Sequence, residues 1–214
     1  MGFKSLANAA AELGVALIAP DGREKSWSFP NAPRQRRDEF AFMNLVLDDA
    51  LRRFPIDPDR LMSSGFSIGG SMSWYMACFL GERFAGHTPI SGTWWRPHPD
   101  ECPGPDPFIS HVHGTADKVF PLEGRLIRKT WQQGNTYEAV AFFRERGGNA
   151  PVIEHYRDGK LDCTDARTPK GGVELCLHDG GHSIRGEWVK RGWMRLAAFK
   201  GWHEWLSAER RGGG

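Results

Sequence analysis

The eight residues Gly65 to Met72, GFSIGGSM, change the local period of the chain. Before them, Leu61 to Phe66 reads as a short extended segment. After Ser67, Met72, Met76 and Phe79 recur at helical spacing, with Tyr75 and Leu80 beside them. The chain must therefore pass from strand to helix through a bend centred on Ser67. Glycines two residues to either side let strand and helix approach without side-chain clashes. Such a bend belongs in a βα unit, so the segment points to a fold with strands and covering helices.

The rest of the chain repeats that alternation. Phe3, Leu6, Ala10 and Leu13 predict a helix that Gly14 ends, and Val15 to Ala19 reads as a buried strand stopped by Pro20-Asp21-Gly22. Residues 22–37 read as loop. Phe40, Met43, Leu47, Ala50 and Phe54 predict a helix that Pro55 stops. Further strands are expected at 87–91, 108–113, 152–156 and 173–177, with a helix around Thr136 to Arg146 and a last helix marked by Leu196, Phe199, Trp202 and Leu206. Strands alternating with helices predict an α/β fold, a mostly parallel sheet with helices on both faces. The expected organisation is one domain over 1–208 and a flexible tail over 209–214.

Composition narrows the function classes. The 214 residues suffice for one sizeable core, and the formal net charge is only +2. The densest basic run, Arg34, Arg36 and Arg37, is followed at once by Asp38 and Glu39, which reads as a solvated loop entering a helix, not a nucleic-acid footprint. No apolar run approaches a membrane span, and the opening residues lack the order of a secretory signal. The expectation is a soluble protein with no nucleic-acid and no membrane partner. Cys78, Cys102, Cys163 and Cys176 show no C-x-x-C spacing, so no metal site and no cofactor are expected. Cys78 reads as a buried thiol on a helical face. Cys163 and Cys176 flank an expected loop and could pair.

Serine attacks only when a base takes its proton. In G-x-S-x-G elbows the acid and then the histidine follow the serine in sequence. Asp117, in HGTADKVFP just beyond an expected strand, is the candidate acid; His182, in HDGGHSIRGEW, is the candidate base. The backbone N–H of Ile68, next after Ser67 at a helix start, is a natural oxyanion donor. The competing reading makes Ser67 a helix N-cap. Rival partners are His178 and Asp179 near His182, His111 and His113 at the end of the earlier strand, and Asp100 and Asp106 in a proline-rich loop. The first two read as strand-end neighbours, the next two as hydrogen-bonded structural histidines, the last two as solvated turn residues. Trp27, Trp94, Trp95 and Trp188 lie in expected loops and are candidates to line a substrate cleft. Trp74, Trp193, Trp202 and Trp205 are assigned to packing.

GFSIGGSM, HGTAD and the GGH loop together resemble the α/β-hydrolase esterases grouped with polyhydroxybutyrate depolymerases, with feruloyl and acetylxylan esterases as close relatives. PDG after the first strand, IDPDR before the serine strand and ISGTWW after the next one fit the same order. The resemblance covers most of residues 1–208. It implies Ser67 as nucleophile, Asp117 as acid and His182 as base, and substrates that are small or polymeric esters with hydroxyalkanoate or hydroxycinnamate acyl parts. It also implies a secreted or periplasmic location. Two departures stand out. After GGH the family reads Trp-Pro-Gly where this chain has Ser183-Ile184-Arg185-Gly186. The family's His-Gly loop, source of the second oxyanion donor, is not found upstream of Val15, so the fold is expected to be N-terminally incomplete and the second donor stays unassigned. The strand missing from that order would lie between 15–19 and 61–66; either those two pair directly, the sheet has a gap, or a second copy completes it in a homo-oligomer. The main reading is a serine ester hydrolase. The alternatives are a peptidase of the same fold and a non-catalytic remnant or binding module.

Overall fold

The computed structural model describes residues 2–146 and 153–203. The expected tail at 209–214, Trp205 and Leu206 lie outside the described residues. Backbone contacts divide the chain into two compact units, 20–183 and 1–19 with 184–214.

The larger unit holds the sheet. β1 (Met62–Phe66), β2 (Gly86–Ile90), β4 (Phe108–Gly114) and β9 (Gly172–His178) pair in parallel in that order, and β8 (Leu161–Arg167) and β7 (Ile153–Asp158) continue the sheet antiparallel. A second small sheet joins β3 (Trp95–Arg96), β6 (Trp131–Gln133) and β5 (Leu126–Ile127). Helices α2 (Glu39–Arg53), α3 (Ile68–Phe79) and α4 (Thr136–Glu145) share one core with it. Both α2 and α4 begin where sequence chemistry starts a helix. Asp38 accepts from the N–H groups of Phe40 and Ala41, and Asn135 from those of Tyr137 and Glu138.

Alternation along the strands divides the buried side chains between faces. Ile109, His111 and His113 of β4 line up with Val173, Leu175 and Leu177 of β9. On that face Trp74 of α3 stacks near Phe143 of α4 and reaches His111. Trp94 fills the space between, in edge contact with Trp74 and Phe142.

In the smaller unit α1 (Gly2–Leu13) packs along α5 (Gly186–Lys200). The N–H of Gly186 donates to Ser5 Oγ at 2.8 Å, and a Cβ there would sit 2.3 Å from the Ser5 carbonyl oxygen. Lys190 pairs with Glu12 at 2.9 Å, and the rings of Trp193 and Trp202 meet at 5.5 Å. Among the described residues no helix is long and apolar enough to cross a membrane.

Four expectations are corrected. Val15 to Ala19 is not a buried strand: it pairs with no strand, and Leu17 and Ile18 are exposed. A strand needs a neighbour to take its backbone hydrogen bonds, and the described sheet ends at β1, with which this segment does not pair. The loop expected between Cys163 and Cys176 contains β8, which joins β7 and β9 into an antiparallel meander. Cys78 is not a free thiol but is bonded to Cys102, and Cys163 is bonded to Cys176 directly across the β8–β9 pair. Glu39 is not solvated. It is buried, holds Arg37 at 2.7 Å and accepts the N–H of Ser28, while the Arg37 guanidinium lies 3.4 Å over Phe42.

Two predictions follow from buried chemistry. Burial keeps the His87 imidazole neutral and pushes its pKa from 6.5 down to about 3; it also holds His111 and His113 below the ordinary histidine range. Below about pH 6.5 the unfolded chain binds protons that the folded chain refuses, so stability falls with pH by on the order of 1.4 kcal/mol per unit for each such group. Urea midpoints should therefore drop from pH 7.5 to pH 4.5, and His87→Asn should flatten the drop. The disulfides close spans of 24 and 13 residues. Each should stabilise by about 3 kcal/mol through the unfolded chain, so urea unfolding with and without dithiothreitol should show a marked loss on reduction.

Candidate active site

Ser67 sits between β1 and α3 with φ 57° and ψ −120°. A side chain in the positive-φ region costs on the order of 1–3 kcal/mol unless its surroundings hold it there. The surroundings here are tight. The Ser67 N–H donates to the Ile90 carbonyl at 2.9 Å, and its carbonyl accepts from Ser71 at 3.0 Å. A Cβ on Gly65 would lie 2.1 Å from the Gly69 carbonyl oxygen, and one on Gly92 would lie 2.0 Å from that of Ser67. Only glycine fits where these backbones cross. The hydroxyl makes no capping bond to α3, so Ser67 is strained without acting as a cap. Ile68 is the first residue of α3, where backbone N–H groups have no acceptor within the helix.

Asp117 and His182 come together because their strands are neighbours. Gly114, last in β4, pairs with His178, last in β9. Thr115 then donates to the His178 carbonyl at 2.8 Å and Ala116 to that of Gly180 at 3.1 Å, so the two loops leave the sheet laced together. His182 Nδ1 meets Asp117 Oδ2 at 2.7 Å. The Asp117 side chain is fully enclosed, and its Oδ1 accepts the N–H groups of Val119 and Phe120 at 2.8 and 2.9 Å. Since a carboxylate only accepts, Nδ1 carries the proton and Nε2 has the open lone pair a base needs. The imidazole packs on the ring of Phe66, the residue before Ser67, with centroids 4.5 Å apart. Among the described residues Ser67 Oγ makes no hydrogen bond to His182; such contacts are often long before substrate binds.

The rival residues make other hydrogen bonds and ion pairs or stay in solvent. His178 Nδ1 accepts the N–H of Gly180 at 3.0 Å. Asp106 lies 3.7 Å from Arg146, and Asp100 is an exposed turn residue. His111 and His113 are buried and bonded to each other at 2.9 Å.

The aromatic cleft expected from the loops is corrected in part. Trp94 is fully buried and Trp95 is 6% exposed, enclosed with Phe29 and Tyr75. Both rings are core, because the loop after β2 folds back onto α3. Trp27 is half-buried beside Arg37. Trp188 is buried in α5 rather than in a loop, with Arg185 over its ring. Sequence reasoning missed Phe66 as the ring that carries His182; its place before the serine was the available signal.

Comparisons with known proteins bear on the fold. A crystal structure from Xanthomonas campestris pv. campestris, described as an α/β-superfamily hydrolase, aligns over 92% of this chain and 88% of its own at 17% identity, with a TM-score of 0.51. The acetyl xylan esterase of Aspergillus awamori aligns over 74% and 66% at 13% identity, with a TM-score of 0.50. The chain has the α/β-hydrolase fold. In sequence it is similar to named esterases. It is 33% identical to the esterase NocK of Nocardia uniformis over 84% of this chain and 59% of that one, and 24% identical to feruloyl esterase C of Emericella nidulans over 81% and 59%. This hydrolase-fold chain thus spans a little under three-fifths of the length of those relatives. No protein-family profile matches it.

The elbow itself yields a test. Ser67→Gly relieves the positive φ, whereas Ser67→Ala keeps it. In urea unfolding the glycine variant should be more stable than the alanine variant by about 1 kcal/mol. Glycine no better than alanine would show that the turn is unstrained.

Proposed function

We propose that the chain is a serine carboxylic-ester hydrolase working through an acyl-enzyme. The observation that carries the reading is Ser67, held at positive φ with no capping bond, directly after Phe66, whose ring packs on the His182 imidazole that Asp117 orients. In this reading Ser67 Oγ attacks the ester carbonyl carbon while His182 Nε2 takes its proton. Asp117 stabilises the imidazolium that forms, and the Ile68 N–H stabilises the oxyanion. The intermediate collapses, His182 returns the proton to the departing alcohol, and the acyl group stays on Ser67. Water then attacks the acyl-enzyme with His182 as base and releases the acid. None of these steps calls for a metal or an organic cofactor.

The names of the relatives support aromatic, feruloyl-type esters as the substrate class. The two disulfides support an oxidising compartment, outside the cytosol.

Methyl ferulate and p-nitrophenyl acetate test the activity, and a fluorophosphonate probe followed by peptide mapping tests the nucleophile. Label is expected on Ser67. Ser67→Ala and His182→Ala should each lower kcat by at least ~10³-fold, and Asp117→Asn by about 10⁴-fold. A folded protein that neither labels nor hydrolyses would be a binding module; cleavage of peptides in preference to esters would make it a peptidase.

A further inference from the structure

Behind Asp117 runs a line of buried hydrogen bonds that the hydrolytic steps do not use. Trp74 Nε1 donates to His111 Nδ1 at 3.1 Å, His111 Nε2 meets His113 Nδ1 at 2.9 Å, and His113 Nε2 meets the Phe120 carbonyl oxygen at 2.7 Å. The two ends fix every proton. An indole nitrogen can only donate, so His111 Nδ1 is an acceptor and His111 carries its proton on Nε2. That proton is donated to His113 Nδ1, so His113 carries its own on Nε2 and donates it to Phe120. Both imidazoles are fully enclosed, and burial keeps both neutral.

His113 Nε2 also lies 3.5 Å from Asp117 Oδ2, the oxygen that holds His182. Its proton therefore stands between the Phe120 carbonyl and the acid. The Phe120 bond ties the far end of the acid loop back to β4, and the Phe120 N–H bonds Asp117 Oδ1. The Asp117 carboxylate is thus held on one oxygen by the loop's own backbone and on the other by His182 and His113. Of these last two, only His113 sits in the rigid core.

We propose that His113, aligned by His111 and Trp74, is a positioning residue for the acid–base pair. It sets the direction of the Asp117 carboxylate and, because its Nε2–H also approaches Oδ2, limits how strongly that carboxylate accepts from His182. The inference rests on the hydrolase reading of the site.

Two polar variants separate this role from core filling. In His113→Gln the amide nitrogen reaches the place of Nε2 and can donate to Phe120 and Asp117. In His113→Asn the shorter amide can still accept from His111 but reaches neither. Both should unfold cooperatively by calorimetry. The Asn variant should lose about tenfold in kcat with KM unchanged, and the Gln variant should stay within about threefold of the parent, the scale of one buried hydrogen bond. A readout that needs no activity is the downfield proton resonance of His182 Nδ1–H. It should move further downfield in the Asn variant, where the carboxylate has lost a donor, and stay in place in the Gln variant. Equal losses in both variants, or a resonance unmoved by Asn, would overturn the proposal. If the parent hydrolyses no ester, the hydrolase reading fails, and the resonance still decides the role of His113.

Discussion

The pairing of β4 with β9 is the contact on which the site depends. Parallel neighbours end side by side, so the loops that follow them start from the same edge of the sheet. The bonds from Thr115 and Ala116 to the opposite loop extend that pairing past the last strand residue. Asp117 and His182 are far apart in sequence, yet each lies only a few residues beyond a paired strand end. A slip of register by two residues would separate them by about 6–7 Å, well beyond a hydrogen bond. The flush ends of two buried strands therefore set the Asp117–His182 geometry before any loop preference acts.

The serine is held by other means. β1 is the terminal strand of the described sheet and has β2 on one side only. The elbow is fixed by close backbone contacts, Gly65 against Gly69 and Gly92 against Ser67, and by the Ser67 bond to Ile90. These contacts concentrate rigidity where the backbone conformation is least favourable. Strain of this kind persists only when its neighbours over-determine it.

Much of this was legible in the sequence, for physical reasons that differ by element. The helix over 39–53 was readable because Phe40, Met43, Leu47 and Ala50 recur at helical spacing and Pro55 stops them. The strand–elbow–helix order was readable because the period changes at Ser67. The expectations failed where local pattern was outweighed by partners elsewhere in the chain. Val15 to Ala19 has the composition of a core strand, but composition alone pairs no backbone, and Leu17 and Ile18 are left exposed. β8 escaped notice because Asp162, Thr164, Asp165 and Arg167 make it look polar, while its backbone is paired on both sides. Trp94 looked like a cleft residue because it lies in a loop; only the fold shows that this loop turns inward. The histidine line was half legible: His111 and His113 alternate onto one face of β4, but nothing local told of Trp74 at one end and Phe120 at the other.

The two cross-links divide their labour along the same boundary as the chemistry. Cys78–Cys102 ties the helix that follows Ser67 to the approach of β4. Cys163–Cys176 ties β9, which leads to His182, to the antiparallel flank. Covalent tethers thus reach the Ser67 side and the His182 side separately, and neither joins Ser67 to His182. That separation is left to non-covalent packing, chiefly the Phe66 ring against the imidazole. The approach of Ser67 to His182 is therefore set by side-chain packing and by the strands between β1 and β9, not by a covalent tether.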